Sequence, residues 1–283
     1  MEQMENRKRR NQNPVRETLS QVFCDTKKLF RSHPKLLEAC KKSRENQRVY
    51  ASSEKIALPS NRFGQTVKIT VSKKRTFEAA SSYARAGEKV AVLNFANSFH
   101  PGGGVVHGAR AQEESLCRVS TLYDALTSPK TMRLFYEVHR KTEDNLGTDD
   151  VIFTPDVAVF KSDTDIPKIV PESEWFFADV LTCAAPNIFY GWKTKIDISE
   201  DALFELFEKR ARRIVGVAAE NNVDALILGA FGCGAFGNSP QIVSRAFKTV
   251  LLDFQFSFKT VEFAVFCSPR DSLNFDAFQE TFA

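Results

Sequence analysis

Two acidic residues stand side by side in the segment Gly108-Ala-Arg-Ala-Gln112-Glu113-Glu114-Ser-Leu-Cys-Arg118. Neighbouring side chains leave a helix about 100° apart, so one carboxylate can grip a ligand while the other trades a proton. Cleavage of a glycosidic bond needs such a group, because the leaving oxygen must gain a proton as positive charge grows on the sugar. Acids are also favoured in the first turn of any helix by its dipole, so the pair alone decides nothing. Two glycine-rich runs add to it. The first, Asn97-Ser-Phe-His-Pro-Gly102-Gly103-Gly104, lies just upstream of the acids. Consecutive glycines let a backbone adopt positive φ and approach a ligand closely, although an ordinary surface turn reads the same way.

The second run is Gly229-Ala-Phe-Gly232-Cys233-Gly234-Ala235-Phe236-Gly237-Asn238-Ser-Pro. It leads into a helical segment, and backbone N–H groups at such a junction form a concave anion site suited to a diphosphate. It lacks the Lys-Ser/Thr ending of a Walker loop and the strict Gly-x-Gly-x-x-Gly dinucleotide fingerprint. Phe236, between Ala235 and Gly237, either stacks on a sugar or base or anchors the loop in the core.

The elements that must carry these loops follow from periodicity. Residues 14–31 place Leu19, Val22, Phe23 and Phe30 at helical spacing, and Pro34 restarts a second short helix. Strands are predicted over 66–71, 89–95, 151–160, 175–183, 225–228 and 261–266. Helices are predicted over 76–86, 112–126, 199–221 and 240–254, with another near the C-terminus. Strands alternating with helices, some wholly apolar, predict an α/β three-layer sandwich. In such sheets a ligand sits outside the carboxyl ends of the central strands, where both glycine runs begin. Residues 1–60 read as an N-terminal helical extension packed on the core, and 61–283 as the main domain.

Composition narrows the classes further. The formal charge is +4, with basic clusters at Arg7-Lys8-Arg9-Arg10 and Lys73-Lys74-Arg75 that read as solvated surface. Cysteines at 24, 40, 117, 183, 233 and 267 form no Cys-x-x-Cys pair and share no metal-ligand spacing with the histidines. Reduced thiols, no metal, no cofactor and a cytoplasmic location are expected. The uncharged stretch 225–244 is broken by glycine and proline, which argues against a membrane span, and the polar start offers no signal peptide.

Taken together, these residues resemble the microbial-type macrodomain poly(ADP-ribose) glycohydrolases. The resemblance is carried by Gly102-Gly103-Gly104, seven intervening residues and Gln112-Glu113-Glu114. Asn94-Phe-Ala-Asn97, Pro101, Leu122-Tyr123, Ala184-Ala-Pro-Asn187 and the run from Gly232 to Asn238 extend it from about residue 60 onward, in the same order. It implies a macrodomain-like α/β/α sandwich with a mixed central sheet. It further implies hydrolysis of the ribose–ribose bonds of poly(ADP-ribose), mainly from chain ends. Glu114 is then the general acid/base, and Glu113 holds hydroxyls of the ribose at the cleaved bond. Gly102, Gly103 and Gly104 wrap the distal ribose and diphosphate, with Asn97 and Gln112 beside them. Gly232, Cys233, Gly234, Ala235, Gly237 and Asn238 belong to the diphosphate loop, and Phe236 lies over the sugar-phosphate. The implied partners are ADP-ribose and poly(ADP-ribose) on modified proteins, with no membrane, no sequence-specific nucleic acid and a monomeric chain. The residue that stacks on adenine is not identified by this pattern, and His107 reads as a solvent-exposed loop histidine.

Other functions remain open at this point. A non-catalytic ADP-ribose reader needs the phosphate loops but not Gln112-Glu113-Glu114. A hydrolase of mono-ADP-ribose esters separates from a chain trimmer only by comparison of substrates. An interaction module recruited through the basic N-terminus, its pocket vestigial, would have no need of intact acids.

Overall fold

The computed structural model describes residues 14–56, 61–142, 144–190, 194–268 and 271–283. The basic cluster Arg7-Lys8-Arg9-Arg10 lies outside them. Helix α1 (Pro14–Ser32) buries Leu19, Phe23, Thr26 and Phe30 on one stripe. Helix α2 (Pro34–Asn46) opens with Pro34, whose fixed φ suits a first helical turn. Then follow β1 (Arg48–Tyr50), β2 (Lys68–Ser72), α3 (Thr76–Arg85) and β3 (Val90–Phe95). The acidic pair starts α4 (Gln112–Val119), followed by α5 (Leu122–Leu126). A helical stretch, Pro129–Thr131, Met132–Tyr136 and Glu137–Thr142, is π-helical in its middle part. Next come β4 (Val151–Val159), β5 (Phe176–Cys183), the small hairpin β6 (Phe189–Tyr190) and β7 (Thr194–Lys195), and α6 (Glu200–Glu220). The remaining elements are β8 (Ala225–Leu228), α7 (Pro240–Asp253), β9 (Thr260–Ala264) and α8 (Leu273–Phe282).

The main sheet has seven strands in the order β1-β4-β5-β3-β8-β9-β2. Antiparallel pairing of β4 with β1 and β5 makes it mixed, and the run from β5 to β2 is parallel. Successive residues of a strand face opposite sides, and both sides are apolar here. Ala91, Leu93, Leu226 and Leu228 meet Phe207, Ile214, Val243 and Phe247 of α6 and α7. Val90, Val92 and Ile227 meet Phe23, Phe77, Leu116 and Leu122 of α1, α3, α4 and α5. The three-layer sandwich with a mixed sheet is the expected fold. Among the described residues no helix is long and apolar enough to cross a membrane.

Three local features depart from the sequence reading. The helix expected over 112–126 breaks at Ser120 and Thr121, because the end of β4 captures them. Thr121 donates its amide to the Ala158 carbonyl and accepts the Ala158 amide on its hydroxyl, each at 3.0 Å. The edge strand β1 is three residues long, too short for alternation to show. The stretch from Pro129 to Thr142 hides Phe135 and Tyr136 within a largely polar sequence.

Helix α1 forms the rear wall of the first glycine loop. The Ser20 hydroxyl donates to the Val106 carbonyl at 2.7 Å, and Phe23 meets the Tyr123 ring edge-on at 4.8 Å. Lys161, 5 % exposed, donates its ammonium to the Val22 carbonyl at 2.9 Å. Burial pushes its pKa down to about 8, from 10.5. Between those values the unfolded chain binds more protons than the folded one, so this group's contribution to stability rises with pH across that window. Lys161→Met, which removes the buried charge, is therefore expected to melt above wild type near neutral pH. The gap should shrink as the pH passes about 8 towards 10.5. A melting difference independent of pH would refute this account.

Candidate active site

The first glycine loop and the acidic pair are bound into one unit. Gln112 brackets α4 to the end of β3: its Oε1 accepts from the Phe95 amide at 2.9 Å, and its Nε2 donates to the Leu93 carbonyl at 2.7 Å. A further bond from Nε2 reaches Thr76 Oγ1 at 3.1 Å. The Gln112 amide thus positions the two acids behind it while its stem lines the cleft.

Glu113 turns inward, 3 % exposed. Its Oε2 accepts from the Asn97 amide at 2.8 Å, and its Oε1 from the Gly102 amide at 3.2 Å and Asn94 Nδ2 at 3.4 Å. Burial pushes its pKa up to about 8, against the pull of the Asn97 and Gly102 amides and with the Glu114 charge adding to the rise. Glu114 is differently placed. Its Oε1 accepts from the Gly104 amide at 2.8 Å, whereas its Oε2 is buried and has no hydrogen-bond partner among the described residues. One oxygen is pinned, and the other is a buried acceptor that the described residues leave unsatisfied.

The glycines are needed where the loop closes on these acids. Gly102 and Gly103 have φ +70° and +55°, and a Cβ on Gly103 would lie 2.5 Å from Glu114 Oε1. Gly104 has an ordinary φ of −94°, so positive φ is confined to two of the three. Asn97 shapes the turn by accepting the Phe99 and His100 amides on Oδ1, at 2.8 and 2.9 Å. His107 is exposed, as expected of a loop histidine.

The second loop leaves β8. Gly232 and Gly237 take φ +76° and +72°, and a Cβ on Gly237 would lie 2.1 Å from the Phe189 ring. Among the described residues nothing accepts from the amides of Gly234, Ala235 and Phe236, which leaves a cluster of backbone donors at the tip. Asn238 faces inward as a brace, its Nδ2 donating to the carbonyls of Pro186 at 2.8 Å and Gly232 at 2.9 Å. The Cys233 thiol is pushed up to about 12 by burial. Phe236 is half-buried: it packs on the core and also lines the cleft.

A cleft of ≈ 320 Å³ runs between Gln112 and Leu116 on one side and Gly232, Gly234 and Phe236 on the other. It extends to two residues that the sequence reading missed, Arg75 and Phe266. Phe266 is 56 % exposed, and the Arg75 guanidinium stacks on its ring at 3.9 Å. Arg75 does not share the solvated surface expected of Lys73 and Lys74: this ring and an ion pair with Asp165 draw it into the cleft. The available signal was the position of Phe266, the last residue of the predicted strand 261–266 and therefore at its carboxyl end.

Comparison with known proteins is consistent with this geometry. The family described as "Microbial-type PARG, catalytic domain", PARG standing for poly(ADP-ribose) glycohydrolase, matches residues 23–162. The poly(ADP-ribose) glycohydrolase of Thermomonospora curvata is similar at 29 % identity and a TM-score of 0.82, over 94 % of this chain and 100 % of that one. Its complex with the inhibitor ADP-HPD is 30 % identical with a TM-score of 0.80, over the same shares. The chain belongs to the microbial-type poly(ADP-ribose) glycohydrolases. The Deinococcus radiodurans enzyme in complex with ADP-ribose is similar at 31 % identity and a TM-score of 0.74, over 86 % of this chain and 96 % of that one. No curated protein matches the chain. The family match begins at Phe23, inside α1, so it takes in the Phe23–Tyr123 contact of the rear wall but not Ser20, which bonds Val106 from one turn earlier. In this family member both loops and both acids lie at the carboxyl ends of the adjacent parallel strands β3 and β8.

Proposed function

We propose that this glycohydrolase cuts ribose–ribose bonds of poly(ADP-ribose), mainly from chain ends, with Glu114 as general acid/base. The observation that carries this reading is the pair of Glu114 oxygens, one pinned by the Gly104 amide and the other buried and, among the described residues, unpartnered. Such an atom can give its proton to the oxygen that leaves C1 of the distal ribose. The C–O bond breaks, positive charge spreads over C1 and the ring oxygen, and the departing ribose keeps the proton as a hydroxyl. The Glu114 carboxylate then takes a proton from the incoming water, whose oxygen bonds to C1, and ADP-ribose is released.

The sheet supplies a layout for the bound unit. Strands β3, β8 and β9 are neighbours, so their ends span about 10 Å at the usual strand spacing. The distal ribose lies by the acids at β3, where Glu113 keeps the loop in place and offers its remaining lone pairs to hydroxyls. The diphosphate lies at β8 on the amides of the Gly232–Gly237 run, and the adenine lies at β9 on Phe266, displacing the Arg75 guanidinium. Phe266→Ala is expected to weaken ADP-ribose binding by about 1–3 kcal/mol, and Phe266→Tyr to leave it nearly unchanged. Equal affinities by calorimetry would remove Phe266 from the site. Helices α1 and α2, packed on the core, belong to the working enzyme. The unpaired thiols fit a reducing cytoplasm, where the chain would act as a monomer on ADP-ribosylated proteins.

The test is incubation with poly(ADP-ribosyl)ated protein, without added metal, beside Glu114→Ala. Release of ADP-ribose by wild type only, with binding retained in the variant, is the expected result. Binding without release by either protein would make the chain a reader.

A further inference from the structure

Arg118 is fully buried, 2 % exposed, and among the described residues no carboxylate lies within ion-pair distance of it. A buried guanidinium without a direct counter-ion is costly, so its presence calls for a reason. Burial pushes its pKa below the ordinary range, and Glu114, one turn earlier on α4, exerts the strongest opposing pull. Both Nη atoms donate, each at 2.7 Å, to a single acceptor, the carbonyl of Ala109. The Ala109 amide donates to the Gly104 carbonyl at 3.1 Å, and the Gly104 amide donates to Glu114 Oε1 at 2.8 Å. A chain of bonds therefore leaves α4 at Arg118 and returns to it at Glu114. The residues between are in close approach, since a Cβ on Gly104 would lie 2.9 Å from that of Ala109.

We propose that Arg118 is a positioning residue for Glu114, holding the Gly104–Ala109 segment so that one carboxylate oxygen is pinned and the other faces the scissile bond. This rests on the reading of Glu114 as the proton donor. A merely structural arginine would affect folding or ligand affinity without regard to Glu114, and the two roles can be separated. Lysine keeps the charge of Arg118 but not the fork, and glutamine keeps a donor but not the charge.

Both Arg118→Lys and Arg118→Gln are measured for kcat and KM on poly(ADP-ribose) and for ADP-ribose affinity. Each is made in wild type and in Glu114→Asp, whose carboxyl is withdrawn by one methylene from the Gly104 amide. In wild type, kcat is expected to fall about 10- to 100-fold, with KM and affinity within about threefold. In Glu114→Asp, the same changes should cost less than about threefold more, because the ring is already open. Unchanged kcat, an equal loss in both backgrounds, or a loss confined to KM and affinity each overturns the proposal. Should neither variant fold, Ala109→Val presses on Gly104 with Arg118 intact: the same kcat-only loss supports the proposal and full activity overturns it. A wild type that binds ADP-ribose but cuts no polymer is a separate outcome, which removes the reading of Glu114 instead.

Discussion

Glu114→Gln is expected to lower kcat by roughly 10²–10⁴-fold, the usual worth of a positioned acid/base group, while ADP-ribose affinity changes only a few-fold. Glutamine keeps the size of the side chain and can still accept from the Gly104 amide, but it has no proton to give and none to take back. Glu113→Gln should behave differently. Both Glu113 oxygens accept N–H groups, so an amide NH₂ must face a donor, at the Asn97 side or at the Gly102 and Asn94 side. A buried donor facing a donor disturbs the loop, and the variant is expected to lose substrate affinity and thermal stability as well as rate. Steady-state kinetics with a binding titration for both variants check the contrast. Similar KM changes in the two would show that the acids do not divide the work in this way.

The second large effect is expected at Gly103. Alanine there must adopt φ +55° and place its Cβ 2.5 Å from Glu114 Oε1 and 3.2 Å from Glu113 Oε2. The left-handed backbone alone costs about 1–2 kcal/mol, and the close approach displaces both acids. Gly103→Ala should therefore lose about 10²-fold or more in kcat/KM, as small misplacements of a reacting group do. Gly234→Ala is the matched control on the other loop, because no atom of the described residues lies within 4 Å of its Cβ position. It should retain nearly full kcat, with any loss confined to ADP-ribose affinity. Comparable losses in the two would mean that loop flexibility, and not the contact with the carboxylates, is what glycine supplies.

How far the sequence foretold this arrangement depended on how local the signal was. Strands buried on both faces, such as Ala225–Leu228, announce themselves as apolar runs, and the glycine loops follow them directly. The contiguous Gln112-Glu113-Glu114 likewise marks the chemistry, but the roles within it need the third dimension. Nothing local reveals that Gln112 and Asn238 use their amides on the main chain, one in front of the acids and the other beneath the second glycine loop. Arg75 and Phe266 escaped because their pairing joins residues far apart in the chain. The break in the helix at Ser120 escaped for the same reason, since Ala158 on β4 makes it.

The rear wall built by α1 also bears on how the enzyme is made. Its bonds to the catalytic region span 86, 92 and 139 residues, reaching Val106, Arg118 and Lys161. The helix leaves the ribosome before β4 and has no complete docking surface until that strand has emerged behind it. Contacts of such separation close slowly, as do the sheet's own pairings of β2 with β9 and β3 with β8, so the acid-bearing loop should be completed late, together with the sheet. A nascent chain halted before residue 160 would carry both acids, Gln112 and all three glycines of the first loop, and still lack Lys161, which ties α1 behind them.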